Sequence, residues 1–159
     1  MIKIALCGHR SVGKTTAAEF FYNRLTGKGM RIAKYDLHYP VVALLKHLGV
    51  TKQKKIDGMI KSAYEYLGED IFIKAFDART TKSSTQSYII DNVHTKREYE
   101  YLVNNGYLFI SVHMDDYLEK VDAVEYMKPF FSLYNFGARE DFMNDLEILI
   151  HRILIHYGS

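Results

Sequence analysis

Cysteine and proline are nearly missing from this chain of 159 residues: Cys7 is the single cysteine, and Pro40 and Pro129 are the two prolines. One thiol excludes an intrachain disulfide. Placed at the end of the first apolar run, Cys7 reads as a small buried hydrophobe. Two isolated prolines exclude a proline-rich linker, and neither repeats nor low-complexity tracts are present. The formal charge of +2 is small, so charge alone draws the chain to neither nucleic acid nor membrane. No apolar run approaches the roughly eighteen residues needed to span a bilayer. The first residues lack a secretory pattern, so the expected location is the cytoplasm. Seven histidines include no metal-ligand spacing of the HExxH kind, which argues against zinc. With ordinary apolar (48%) and charged (25%) fractions, residues 1–159 are expected to form one domain with a real core.

What is present is more telling. Gly8-His9-Arg10-Ser11-Val12-Gly13-Lys14-Thr15 has the form GxxxxGK[ST]. Residues 2–7 before it read as a short buried strand, and residues 15–25 after it as an amphipathic helix, the setting this loop requires. Two glycines let the backbone turn its N–H groups inward, and the helix start adds partial positive charge. Lys14 then reaches the β- and γ-phosphates while the Thr15 hydroxyl ligates Mg²⁺. ATP and Mg²⁺ are therefore the expected cofactors, with Gly8, Arg10, Ser11, Val12, Gly13, Lys14, Thr15 and Thr16 as the donor-binding residues.

Strand and helix signals alternate beyond the loop. The pattern predicts a strand at 30–35, a short helix at 41–48 and helical stretches at 56–67 and 69–79. A strand at 88–91 follows. Thr95 and Glu98 have capping-box spacing, which starts a helix running to about 105, and a strand is predicted at 107–113. Residues 117–127 read as helical, 130–137 as irregular and 144–157 as a final helix. A fifth strand falls within 132–136 or 141–143. This alternation predicts an α/β parallel sheet of four to five strands with helices on both faces. Together with the phosphate-loop motif and the compact size of the chain, it makes a three-layer P-loop kinase fold the expected one. A helical insertion is expected over about 37–80.

In a parallel sheet, ligands sit beyond the carboxyl ends of the strands. Asp91 ends one apolar run there and is the expected second Mg²⁺ ligand beside Thr15. Asp36, at the end of another strand, competes for that role or orients the acceptor. Guanine-reading and switch motifs of the NKxD and DxxG kind are missing, which sets aside small GTPases. Compact size and the helical segment between the second and third strands point to small-molecule kinases.

Four stretches carry a family resemblance. Ile4-Ala5-Leu6-Cys7-Gly8 through Thr16 is similar to a GxxxSGKDT-like strand and loop. Residues 35–48, with Pro40 and the apolar helix after it, are similar to a "FADPLK" region. Gly68-Glu69-Asp70-Ile71-Phe72-Ile73-Lys74-Ala75-Phe76 resembles "DPDIWVKAL", and Ile89-Ile90-Asp91-Asn92-Val93-His94 through Glu98 resembles "VIDDVRFPNE". In these the chain resembles the deoxynucleoside monophosphate kinases of tailed bacteriophages, over its first two-thirds. Departures are His94 in place of arginine, Asn92 in place of a second aspartate, Thr15 in place of aspartate and His113 in place of a lid arginine.

The resemblance implies in-line transfer of the γ-phosphoryl of ATP to a (deoxy)nucleoside monophosphate, giving the diphosphate, in a host cytoplasm if the chain is phage-encoded. It also implies that the helical insertion over about 37–80 binds the acceptor and that a lid lies over about 114–140. The acceptor phosphate is already anionic, so position and charge do the work. Lys14 and Asp91 are the expected catalytic residues. Arg79, Arg97 and Arg139, with Arg10 inside the loop, are candidates to bridge donor and acceptor, because the guanidinium fork suits phosphate oxygens. Asp36, His38, Tyr39, Tyr64 and His94 are the candidate acceptor-binding residues; Tyr35 and Tyr66 are further candidates to stack on a base. The partners expected are small-molecule nucleotides, with a homodimer as one admissible assembly. Two alternatives stay open: a kinase of another small acceptor, such as dephospho-coenzyme A or a modified nucleotide or base, and a nucleotide-binding module without catalysis.

Overall fold

The computed structural model describes residues 1–8, 12–80, 86–114 and 128–158. Among them, five strands form one parallel sheet: β1 (Lys3–Cys7), β2 (Ile32–Asp36), β3 (Ser87–Asp91), β4 (Leu108–His113) and β5 (Phe131–Tyr134). Their order is β2-β3-β1-β4-β5. Six helices connect and cover them: α1 (Lys14–Gly27), α2 (Tyr39–His47), α3 (Gln53–Leu67), α4 (Ile71–Thr80), α5 (Lys96–Asn104) and α6 (Arg139–His156).

Side chains that alternate along each strand feed two separate cores. Ile2, Ile4 and Leu6, with Ile89, Ile110 and Leu133, meet Phe21 and Leu25 of α1 and Leu146, Leu149 and Ile153 of α6. Ala5 and Cys7, with Tyr88, Ile90 and Phe109, meet Phe72, Ile73 and Phe76 of α4 and Leu102 of α5. That is the pattern of a sheet buried on both faces. Burial pushes the Cys7 thiol up to about 11, with only partial relief from the Lys14 ammonium, so it is a neutral core thiol as its sequence position suggested.

The strands and helices read from sequence recur, with shifted ends. The fifth strand is Phe131–Tyr134, inside the stretch read as irregular, and residues 141–143 belong instead to α6, which begins at Arg139. β5 escapes the pattern because it is an edge strand of four residues with only Leu133 buried. It also occupies part of the region expected to be a lid. The helix expected over 117–127 lies outside the described residues. Among the described residues no helix is long and apolar enough to cross a membrane.

Candidate functional site

The site gathers at the carboxyl ends of β1, β2 and β3. Gly8 leaves β1 at φ 139°, and a Cβ there would sit 2.3 Å from the Val112 carbonyl oxygen. Only glycine lets the loop pass so close to β4. Gly13, at φ 107°, is the N-cap of α1 and as a glycine offers no side-chain cap of its own. A helix start carries partial positive charge and inward-facing amides, which suits an anion. Lys14 is buried, and its ammonium donates to the Gly8 carbonyl oxygen at 2.8 Å, folding back across the loop. The Val12 side chain lies in the core, and Thr15 and Thr16 are exposed on the first turn of α1. Arg10 and Ser11 lie outside the described residues.

Parallel pairing puts Asp36 directly opposite Asp91 at the ends of β2 and β3. Asp36 accepts from the His38 amide at 2.8 Å, an Asx turn that starts the path into α2. Asp91 accepts from the Asn92 amide at 2.7 Å; Asn92 holds φ 63°, a left-handed conformation asparagine tolerates better than most residues. Burial pushes the Asp91 carboxyl up, while the Asn92 bond and the Lys14 ammonium pull it down and Asp36 pushes it up again. A buried carboxyl held against its preference for water, beside a second carboxylate, gains from a cation. Thr15 and Asp91 offer only hard oxygen donors, with Asp36 adjacent. That chemistry fits Mg²⁺, the phosphates and water completing its shell.

Behind the carboxylates lies a polar relay set in aromatic surroundings. His38 is 6% exposed. Its ring lies 4.9 Å from that of His94, 5.0 Å from Phe72 and 5.8 Å from Tyr64. His38 Nε2 is 2.9 Å from the Tyr64 hydroxyl, and that hydroxyl donates to Glu98 Oε1 at 2.8 Å. Because Tyr64 spends its proton on Glu98, it presents a lone pair to His38, which assigns the proton to Nε2. Glu98 is fully buried. Its other oxygen accepts from the His94 and Thr95 amides at 2.9 and 3.0 Å, completing the capping box of α5. Desolvation pushes Glu98 up, against these three donors. It pushes His38 down to about 4, helped by His94 and opposed by Asp36 and Asp57, so His38 is neutral near pH 7.

The structure therefore brings Lys14, Asp36, Asp91, His38, Tyr64 and His94 together. It does not bring the other candidates with them. Tyr39 is 54% exposed at the start of α2. Tyr35 packs on Phe76 at 4.9 Å, and Tyr66 is exposed. Arg97 points outward, 3.9 Å from Asp70. α4 runs from Phe72, against His38, to Phe76, against Tyr88 near the start of β3, so Arg79 at its far end lies toward the amino edge of the sheet. Arg139 lies beside Thr15 and Thr16 at the start of α1. There it lines a groove of about 540 Å³ with Thr15, Thr16, Phe20 and Met143. Sequence reading missed the role of Glu98, whose capping-box spacing was visible but whose contact with α3 was not. It also missed Asn135, which donates to the Val12 carbonyl oxygen at 3.0 Å and carries no motif of its own.

The strand order, the phosphate loop between β1 and α1, and helices on both faces define a three-layer α/β fold of the P-loop kinase kind. Solved structures share it at low identity. The protein APE1195 matches at 16% identity and a TM-score of 0.56, with 96% of this chain and 94% of that one covered. Shikimate kinase from Aquifex aeolicus matches at 15% identity and 0.53, covering 99% and 100%. Shikimate kinase from Acinetobacter baumannii in complex with shikimate matches at 12% and 0.52, covering 96% and 94%. No protein-family model and no curated protein matches the sequence.

Proposed function

We propose that this protein is an ATP-dependent phosphotransferase that moves the γ-phosphoryl group to a nucleoside monophosphate. The observation that carries the reading is the convergence of Lys14, at the start of α1, with the Asp36–Asp91 pair in register beside it. The loop and Lys14 hold the donor's phosphates, and the groove next to Thr16 and Arg139 receives its nucleoside. Thr15 and Asp91 would hold Mg²⁺, which would supply positive charge at the transferring group. The acceptor lies over the ends of β2 and β3, where His38, Tyr64 and His94 line its side. An acceptor phosphate is anionic near neutral pH, so transfer needs alignment and charge rather than a base.

A second reading, transfer to a hydroxyl of another small acceptor such as dephospho-coenzyme A, is favoured by the placement of the arginines. Seven are present. Arg24 pairs with Glu147, Arg152 covers Phe131, Arg31 precedes β2, and Arg79, Arg97 and Arg139 lie as described. Arg10, in the loop, remains the arginine nearest the acceptor side by sequence. A hydroxyl needs no guanidinium and finds a carboxylate base in Asp36, and shikimate, bound in one structural neighbour, is itself an alcohol.

The deciding experiment follows ADP release from Mg-ATP with each common nucleoside monophosphate and with a panel of small alcohols. Monophosphate-dependent ADP supports the first reading, and turnover on alcohols alone supports the second. Tight ATP binding with no turnover on any acceptor leaves a nucleotide-binding module.

A further inference from the structure

We infer that Asn135 is a positioning residue that aims the Gly13 amide at the donor's phosphates; this rests on the nucleotide-binding reading above. Asn135 follows β5, and its backbone N–H donates to the His113 carbonyl oxygen at 2.8 Å, extending the β4–β5 ladder by one bond. That rung anchors its backbone to the sheet. Its side-chain amide then crosses to the phosphate loop and donates to the Val12 carbonyl oxygen at 3.0 Å.

The consequence follows from peptide geometry. In a trans peptide the carbonyl of one residue and the N–H of the next point in opposite directions. Holding the Val12 oxygen toward Asn135 therefore turns the Gly13 N–H away from it, to the side on which the proposed donor's phosphates would lie. Gly13 sits at φ 107°, and glycine's freedom leaves this peptide plane easy to flip unless something holds it. The contact is close as well as polar. A Cβ on Gly13 would fall 2.7 Å from Asn135 Nδ2 and 3.4 Å from the Phe142 ring. The end of β5 and the start of α6 thus form a seat for the Val12–Gly13 peptide. A donor fixed before the phosphate arrives costs no reorganisation on binding.

The test uses the full chain with Asn135→Leu, which keeps the bulk and removes the donor, and Asn135→Asp, which puts acceptor against acceptor. Binding of Mg-ATP and of inorganic tripolyphosphate should weaken together, by about tenfold in the first variant and further in the second. The KM for ATP should rise more than kcat falls, and the KM for the acceptor should stay unchanged. The unliganded melting temperature should fall by no more than the few degrees that one lost hydrogen bond implies, while the rise on adding nucleotide shrinks. Tripolyphosphate binding by Asn135→Leu within twofold of the wild type would overturn the inference and leave the nucleotide reading standing. So would equal losses of donor and acceptor affinity alongside a lowered melting temperature. A wild-type protein that retains neither Mg-ATP nor tripolyphosphate overturns both.

Discussion

Replacing Gly8 by alanine tests the idea that the phosphate loop is built by close passage over β4. The added Cβ would lie 2.3 Å from the Val112 carbonyl oxygen and 3.3 Å from both the Val112 carbonyl carbon and Val12 Cγ2. The first obstacle is backbone and cannot swing aside, so β1 and β4 must part by about 1 Å where Cys7 pairs with Ser111, since close non-bonded contacts lie near 3.5 Å. Parting there weakens one or two ladder hydrogen bonds, each worth about 1 kcal/mol. Holding alanine at φ 139° adds about 1–3 kcal/mol. The expected loss is therefore about 2–5 kcal/mol, a large share of a typical domain's stability. Gly27→Ala is the control: it ends α1 with nothing within 4 Å and should gain a few tenths of a kcal/mol. Urea unfolding of the three proteins, with nucleotide binding measured in parallel, gives the answer. A Gly8→Ala protein within about 1 kcal/mol of the wild type, still binding ATP, would refute the close-passage account.

Four further outcomes follow from the site. Lys14→Ala should cut acceptor-dependent ADP release by about a hundredfold or more while far-UV circular dichroism stays native, because charge at the transferring group is lost. Asp91→Asn should abolish Mg²⁺-dependent turnover yet unfold at higher urea near pH 8, since burial already disfavours its carboxylate; lower stability would count against that cause. Tyr64→Phe leaves fully buried Glu98 short of one donor and His38 without its partner, and should cost about 1–3 kcal/mol in chemical denaturation. For His38, the folded-state value of about 4 lies below its ordinary 6.5, so the unfolded chain binds the extra proton between them. Stability from this group is full above 6.5 and lost as pH falls toward 4, by at most about 3 kcal/mol. The wild-type advantage over His38→Gln should shrink across that window in urea titrations, and parallel pH profiles would contradict it.

Gly8 and residues 12–15 declared their conformation in advance, because two glycines, a lysine and a threonine at fixed spacing encode a local backbone shape. Alternating apolar runs likewise announced a parallel sheet, and Thr95 and Glu98 announced the start of α5, since each signal spans only a few residues. Strand order was another matter: β3 lies between β1 and β2, and only that placement sets Asp36 beside Asp91. Sequence distance likewise hid the Tyr64–Glu98 bond, made across 34 residues, and the Asn135–Val12 bond, made across 123. Arg79 and Arg97 were plausible by residue type and were directed elsewhere by the path of α4 and the outer face of α5. Local chemistry in this chain determined where a phosphate would be held. Long-range packing decided what stands opposite it, because side chains distant in sequence meet only when the sheet sets their neighbours.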